Sequence, residues 1–263
     1  MTTPVHPQFS GPRQLGLGRI LLLFAWPLVW YSFLIYILAR PFIPEGGLAP
    51  TWISLSVLAL GPAAELTVAA ILLHREKSAV PLRERIRLRW PRGRRSWIIA
   101  SAVFVGAFAL SMAVSPLNRL LASVPGFVPP AWWPPGSNPT VEIHAVADVF
   151  PDVALAGNWG FFLLYFLIGL VFNIFGEELY YRGYLLPRMR GVFGRFDWVA
   201  NGILFTLKHF YQRWLYPSML VGGLAFAFAA GPLASLPLAM LYHWAGNFLF
   251  PLILLFRAVA GVG

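Results

Sequence analysis

The chain is expected to be an all-α membrane protein, one polytopic helix bundle of seven or eight transmembrane helices in a single domain, residues 1–263. Three observations predict this. Of the 263 residues, 58% are hydrophobic and only 11% are charged. Several apolar runs approach the roughly 20 residues that cross a bilayer. Between two of these runs lie Arg83, Arg85, Arg87, Arg89, Arg92, Arg94 and Arg95, the arrangement that the positive-inside rule assigns to a cytoplasmic loop. The formal charge of +10 raises nucleic acid as a partner. Charge packed between two spans instead suits a loop against anionic headgroups, so the bilayer is expected as partner and no nucleic acid. The chain has no cysteine, which excludes thiolate catalysis, cysteine metal sites, disulfides and prenylation of the chain itself.

Placing the basic loop, 74–96, in the cytoplasm orients every other element. The tail 1–19 is then cytoplasmic and 20–39 runs outward. That run exceeds a secretory signal core and no small-residue cleavage site follows it, so a retained helix in a cell membrane is expected. Residues 41–50, with a proline at each end, turn outside, and 51–73 returns. After the basic loop, 97 to about 116 goes out. The stretch from there to Asn158 is predicted to be an external loop with room for a short helix, because Pro125, Pro129, Pro130, Pro134, Pro135 and Pro139 leave little continuous helix and its tryptophans suit a membrane interface. Trp159 to about Tyr184 comes back in, with Arg188, Arg190 and Arg195 beyond it. The remaining runs, about 199–214, 218–230 and 233–256, are compressed. Pro237 and Pro251 let the last be one kinked helix or two.

Chemistry concentrates in this second half. Gly176-Glu177-Glu178-Leu179-Tyr180-Tyr181-Arg182 sets two carboxylates and a guanidinium at the end of a lipid-compatible run. An ionisable side chain at that depth costs about 2.5–3.5 kcal/mol on insertion scales, so three together imply partners or a task. Glu178 and Arg182, four apart, stack on one face as an ion pair, whereas Glu177 points about 100° away. Glu177 then lacks a local counter-charge, and desolvation is expected to raise its pKa toward that of a general base. Two further pairs sit four residues apart, Phe205 with His209 and His243 with Asn247. The last two both carry hydrogen-bond donors suited to developing negative charge. Together the three segments offer a carboxylate and an imidazole to activate water and a donor pair to hold an oxyanion, the parts needed for amide hydrolysis without a covalent intermediate.

In that order, Glu177-Glu178-x-x-x-Arg182, Phe205-x-x-x-His209 and His243-x-x-x-Asn247 resemble the three motifs of the CPBP intramembrane proteases, the family of the CAAX prenyl endopeptidases and of bacterial bacteriocin-processing and self-immunity proteins. The resemblance covers about 159–257, a catalytic half; the first three spans carry no motif of the family. It implies a glutamate-dependent endopeptidase with its site inside the membrane. Glu177 and His209 would activate water, His243 and Asn247 would form the oxyanion hole, and Glu178, Arg182 and Phe205 would support them. The substrate would be a short peptide or protein segment at the membrane, cut near the cytoplasmic face; a lipidated, CAAX-like peptide is one candidate, and its identity is left open. No cofactor is expected. Zinc, for which relatives are often named, would normally bring His-Glu-x-x-His, and that pattern is absent.

Other functions fit parts of the pattern. A non-catalytic immunity or scaffold protein would carry the same motifs. A proton-coupled transporter would use Glu65, Glu177, Glu178 and the histidines as a relay, but would favour two related hydropathic halves, which the sequence lacks. Glu65, inside the second span, is expected to pair with Lys208 or face a cavity, with an interhelical contact favoured over catalysis. Lys208 and Arg213 are expected to snorkel or neutralise carboxylates. Gly222 and Gly223 are expected to admit close helix packing. His6, His74 and His144 are assigned no role, and nothing in the sequence sets an oligomeric state.

Overall fold

The computed structural model describes residues 12–262, which are mainly helical with no strand among them. Residues 1–11, including His6, lie outside the described part. Among the described residues five helices, against the seven or eight expected, are long and apolar enough to cross a membrane: Leu17–Phe42, Thr51–Arg75, Arg94–Ala122, Trp159–Lys208 and Leu236–Ala260. The first three are α1, α2 and α3. The fourth is too long for one crossing and breaks at Gly194, whose φ of 53° reverses the chain, giving α4 (159–193) and α5 (Asp197–Lys208). A 3₁₀ segment, Phe210–Leu215, leads into the shorter α6 (Tyr216–Ala230), and α7 is Leu236–Ala260.

Two proline positions resolve in favour of continuity. Pro116 does not end α3, which runs on to Ala122. A proline there removes the amide that would bond the carbonyl of Met112, and the Ser115 hydroxyl donates to that carbonyl instead, at 2.9 Å. The C-terminal run is likewise one helix through Pro251, with Pro237 in its first turn, where a missing N–H costs nothing.

The stretch 123–158 is irregular apart from single turns at Pro135–Ser137 and Val146–Val149, but it is not a loose interfacial loop. Trp133 is buried, edge-on to Trp214 at 4.8 Å. Trp214 Nε1 donates to the Ser137 carbonyl at 2.9 Å, the Ala49 amide donates to the Trp132 carbonyl at 2.8 Å, and the Thr51 amide donates to Asp152 at 3.0 Å. The stretch is therefore a roof pinned to α2 and to the 210–215 segment. At the opposite end the basic loop also has fixed contacts. Arg87 Nη1 donates to the Ala230 carbonyl at 2.7 Å, closing the C-terminus of α6, and the Leu236 amide donates to the Arg87 carbonyl at 3.0 Å. His74 sits in the last turn of α2, not in the loop.

What brings the motif helices together is close backbone approach. A Cβ on Gly176 would lie 2.5 Å from the Pro62 carbonyl oxygen, so α4 reaches α2 only with glycine there. Gly202 of α5 and Gly223 of α6 meet in the same way, each potential Cβ 3.0 Å from the other's carbonyl. Beside these contacts α4 widens into π-helical turns, Ile168–Gly176 and Leu179–Leu185, on both sides of the glutamate pair. Such widening is frequent at functional sites because it turns the following side chains out of the regular helical phase.

Candidate active site

A cavity of about 1010 Å³ lies under the roof. Glu177, His209, His243 and Asn247 all line it, as does Phe205. They arrive from three segments: Glu177 on α4 between the widened turns, His209 just past the end of α5, and His243 with Asn247 one turn apart on α7. The four residues singled out in the sequence thus face one space.

The distances define a carboxylate between two imidazoles. Glu177 Oε2 is 3.8 Å from His243 Nε2, and Glu177 Oε1 is 3.9 Å from His209 Nε2. These gaps exceed a direct hydrogen bond, so both imidazoles stand beside the carboxylate without bonding it. His209 Nδ1 lies 2.8 Å from the Phe205 carbonyl oxygen. A carbonyl only accepts, so Nδ1 carries the proton and Nε2 of the neutral ring presents a lone pair to the cavity. The helical spacing of Phe205 and His209 therefore fixes the tautomer as well as the direction of the imidazole.

His243 is held differently. Its Nδ1 is 2.9 Å from Glu178 Oε1, and its ring stacks on Phe226 with centroids 4.6 Å apart. Glu178 Oε1 also accepts from Arg182 Nη1 at 3.0 Å, the i,i+4 pair expected from the sequence, with both side chains fully buried. The Arg182 guanidinium lies 3.9 Å from the centre of the Phe205 ring, and its Nη2 donates to the Gly223 carbonyl at 3.3 Å. Glu178, Arg182 and Phe205 thus form a closed layer beneath the site. With Nδ1 donating to Glu178, the ring of His243 donates into the cavity only when both nitrogens are protonated, and the adjacent carboxylate supplies the counter-charge.

One expectation is overturned. Glu177 does not lack a counter-charge: Lys208 Nζ lies 2.8 Å from its Oε1 and also 3.3 Å from Glu65 Oε1. Lys208 is one position from His209, so the turn that aims the imidazole at the cavity buries the ammonium behind it. The pairing of Glu65 with Lys208 is as expected, whereas Arg213 turns to the roof and donates to the Gly126 carbonyl.

Sequence reasoning also missed groups that lie outside the three motifs. Tyr31 of α1 donates to Glu177 Oε1 at 3.4 Å and stacks on Tyr211 at 4.8 Å. Asn173, one turn before Glu177, lines the cavity with a buried Oδ1 that has no protein partner. Its spacing to Glu177 was the only indication available.

The cavity has a direction. Its walls are Ile35 and Ala39 of α1, Ser54 and Leu58 of α2, and Ser111 and Ser115 of α3, all in the halves nearer the roof, and none of its lining comes from the basic loop. Toward the basic loop the way is closed by fully buried Tyr180, Tyr181, Leu185, Leu186 and Met189. The expectation of a site serving the face of the basic loop is not met by this shape. Among the described residues no group of three or more histidine, aspartate or glutamate side chains is arranged to hold a metal ion.

The type II CAAX prenyl endopeptidase Rce1-like family model matches residues 158–249, the part of the chain that carries all three motifs. No curated protein and no solved structure matches. The matched segment, about a third of the chain, is similar to that family, and it is the segment whose motifs resemble the CPBP and CAAX proteases.

Proposed function

We propose that the protein is an intramembrane endopeptidase in which Glu177 and His209 activate a water molecule that attacks a peptide carbonyl directly. The observation that carries this is the convergence of four side chains from three segments on one cavity, with Glu177 3.8 and 3.9 Å from two imidazole nitrogens. In the first step a water O–H bond breaks, its proton passes to Glu177, and the oxygen bonds the carbonyl carbon. The new oxyanion takes hydrogen bonds from His243 Nε2–H and the Asn247 amide. Glu177 then returns the proton to the departing amine as the C–N bond breaks. No metal takes part in this scheme.

The substrate is a peptide segment held at the membrane. We assign the basic loop and the N-terminus to the cytoplasm, and seven crossings to α1–α7, from the charge distribution. Fourteen lysines and arginines lie in the tail, the 75–95 stretch and 188–195, against Arg40, Arg119, Arg213 and Arg257 at the other end. The cavity then takes its substrate from the extracytoplasmic side, so a translocated or externally exposed segment fits better than a cytoplasmic prenylated one.

The test is cleavage of a panel of fluorescence-quenched peptides bearing an apolar anchor by the purified protein in detergent. Cleavage is expected to survive strong chelation and to fall by roughly 10²–10⁴-fold in His209→Ala, the usual contribution of acid–base catalysis. Loss of activity on chelation, restored by zinc, would reject the metal-free scheme. Proton uptake into vesicles without any cleavage would point to transport instead.

A further inference from the structure

Beneath Glu177 lies a second charged group that the three motifs do not include. Lys208 of α5 and Glu65 of α2 are both fully buried as side chains, and Lys208 Nζ is 3.3 Å from Glu65 Oε1 and 2.8 Å from Glu177 Oε1. Tyr181 donates to the same Glu65 oxygen at 2.6 Å. The ammonium also faces the rings of Tyr31, Tyr181 and Phe205 at 4.7, 5.0 and 5.1 Å. Glu65 Oε2 has no protein partner. A simple interhelical ion pair would need one carboxylate. This lysine has two, and one of them is the carboxylate proposed as the base.

The geometry points to Lys208 and Glu65 as a positioning pair for Glu177. This inference rests on the peptidase reading for its catalytic meaning and on the contacts alone for its charge logic. Lys208 and Tyr31 take Oε1, which leaves Oε2 as the oxygen free to receive the proton of the water. The same contact sets a basic group against the carboxylate in a buried site, where an unpaired charge is costly. Once Glu177 accepts the proton of water, the ammonium still needs an anion, and Glu65 is that anion. Lys208 touches both carboxylates at once, so its nitrogen keeps a carboxylate partner whichever state Glu177 is in. The titratable and charged groups around Glu177 are Tyr31 from α1, Glu65 from α2, Tyr181 and Arg182 from α4, Lys208, His209 and Tyr211 from α5 and the segment after it, and His243 from α7. Of these, Lys208 is the basic side chain in direct contact with the carboxylate, at 2.8 Å.

The test uses dicyclohexylcarbodiimide, which modifies lipid-buried carboxyl groups only in their protonated form, with the modified residue located by mass spectrometry. At neutral pH Glu177 is expected to remain unmodified in the wild type and in Lys208→Arg. In Lys208→Met, two buried carboxylates face each other without a cation, and Glu177 is expected to become modified. Peptide cleavage is expected to fall through kcat with KM unchanged, by roughly 10²-fold in Lys208→Met, with recovery in Lys208→Arg. Glu65→Gln retains the hydrogen bonds to Tyr181 and Lys208, so it checks the pair in a folded protein, and a fall in kcat alone of about tenfold is expected. Unmodified Glu177 in Lys208→Met, or unchanged kcat in Glu65→Gln, would overturn the proposal. Failure of the wild type to cleave any peptide, with the modification pattern as expected, would instead reject the peptidase reading and leave the charge pairing standing.

Discussion

Single residues decide what this site can do, and the sequence exposed some of them well. Four-residue spacing placed Glu178 against Arg182, Phe205 against His209 and His243 beside Asn247, because those relations are local to one helix. Spacing was silent on what each pair meets across the bundle. Lys208 was legible as a neutraliser of carboxylates, yet its position 2.8 Å from Glu177 depends on α5 crossing α4, and Tyr31 comes from a helix with no motif at all. Asn247 offers a clean test at this scale. It is exposed to the cavity and supports little packing, so Asn247→Ala is expected to lower kcat by roughly 10²–10³-fold, as for other oxyanion donors, with an unchanged thermal midpoint in detergent. A loss of stability in place of a loss of rate would make Asn247 structural.

At the scale of helices, the apolar runs gave the approximate limits of the long helices, and proline misled once, at Pro116, while the last run, left open as one helix or two, is one. Pro116 and Pro251 lie inside continuous helices because a membrane helix can satisfy the freed carbonyl locally or against a neighbour, as Ser115 does for Met112. The widening of α4 was illegible, since it answers to packing against α2. Gly176→Ala tests that contact. Its new Cβ would stand 2.5 Å from the Pro62 carbonyl, so α4 and α2 must part, and a loss of about 1–3 kcal/mol in stability is expected with a fall in cleavage. The inner end of α2 is tied to α4 by Glu76, which accepts from Arg188 Nε at 3.1 Å and from Arg85 at 2.8 Å. Burial works to raise that carboxyl, but the hydrogen bonds and charges of Arg188 and then Arg85 outweigh it and hold it below its ordinary value of 4.5. A depressed folded value stabilises above the unfolded pKa. This contribution is therefore complete at neutral pH and fades as pH falls below about 4.5. Thermal unfolding of the wild type is expected to weaken across that range more than unfolding of Glu76→Gln.

For the whole molecule, the positive-inside distribution and the cavity make one joint statement. Basic residues crowd the end that is plugged by Tyr180, Leu185 and Met189, and the cavity lies toward the other end. The direction of the cavity was hidden from the sequence, because a roof built from 123–158 reads only as a proline-rich loop until its anchors to Trp214, Ala49 and Thr51 are known. A chain without cysteine suits single-cysteine mapping. In vesicles of right-side-out orientation, a membrane-impermeant maleimide is expected to label Ser115→Cys in the cavity wall and to spare Ser78→Cys in the basic loop. The reverse pattern would turn the protein over and assign a cytoplasmic substrate.

The central claim is that a single carboxylate, set between two imidazoles inside the membrane, cuts a peptide bond with water. Its most direct test is the turnover of a quenched peptide by purified Glu177→Gln at the same folded concentration as wild type, with folding checked by thermal unfolding. A fall of roughly 10²–10⁴-fold with the fold intact is expected for loss of the base. Turnover equal to wild type would contradict the assignment of Glu177 and, with it, the hydrolytic scheme built on this cavity.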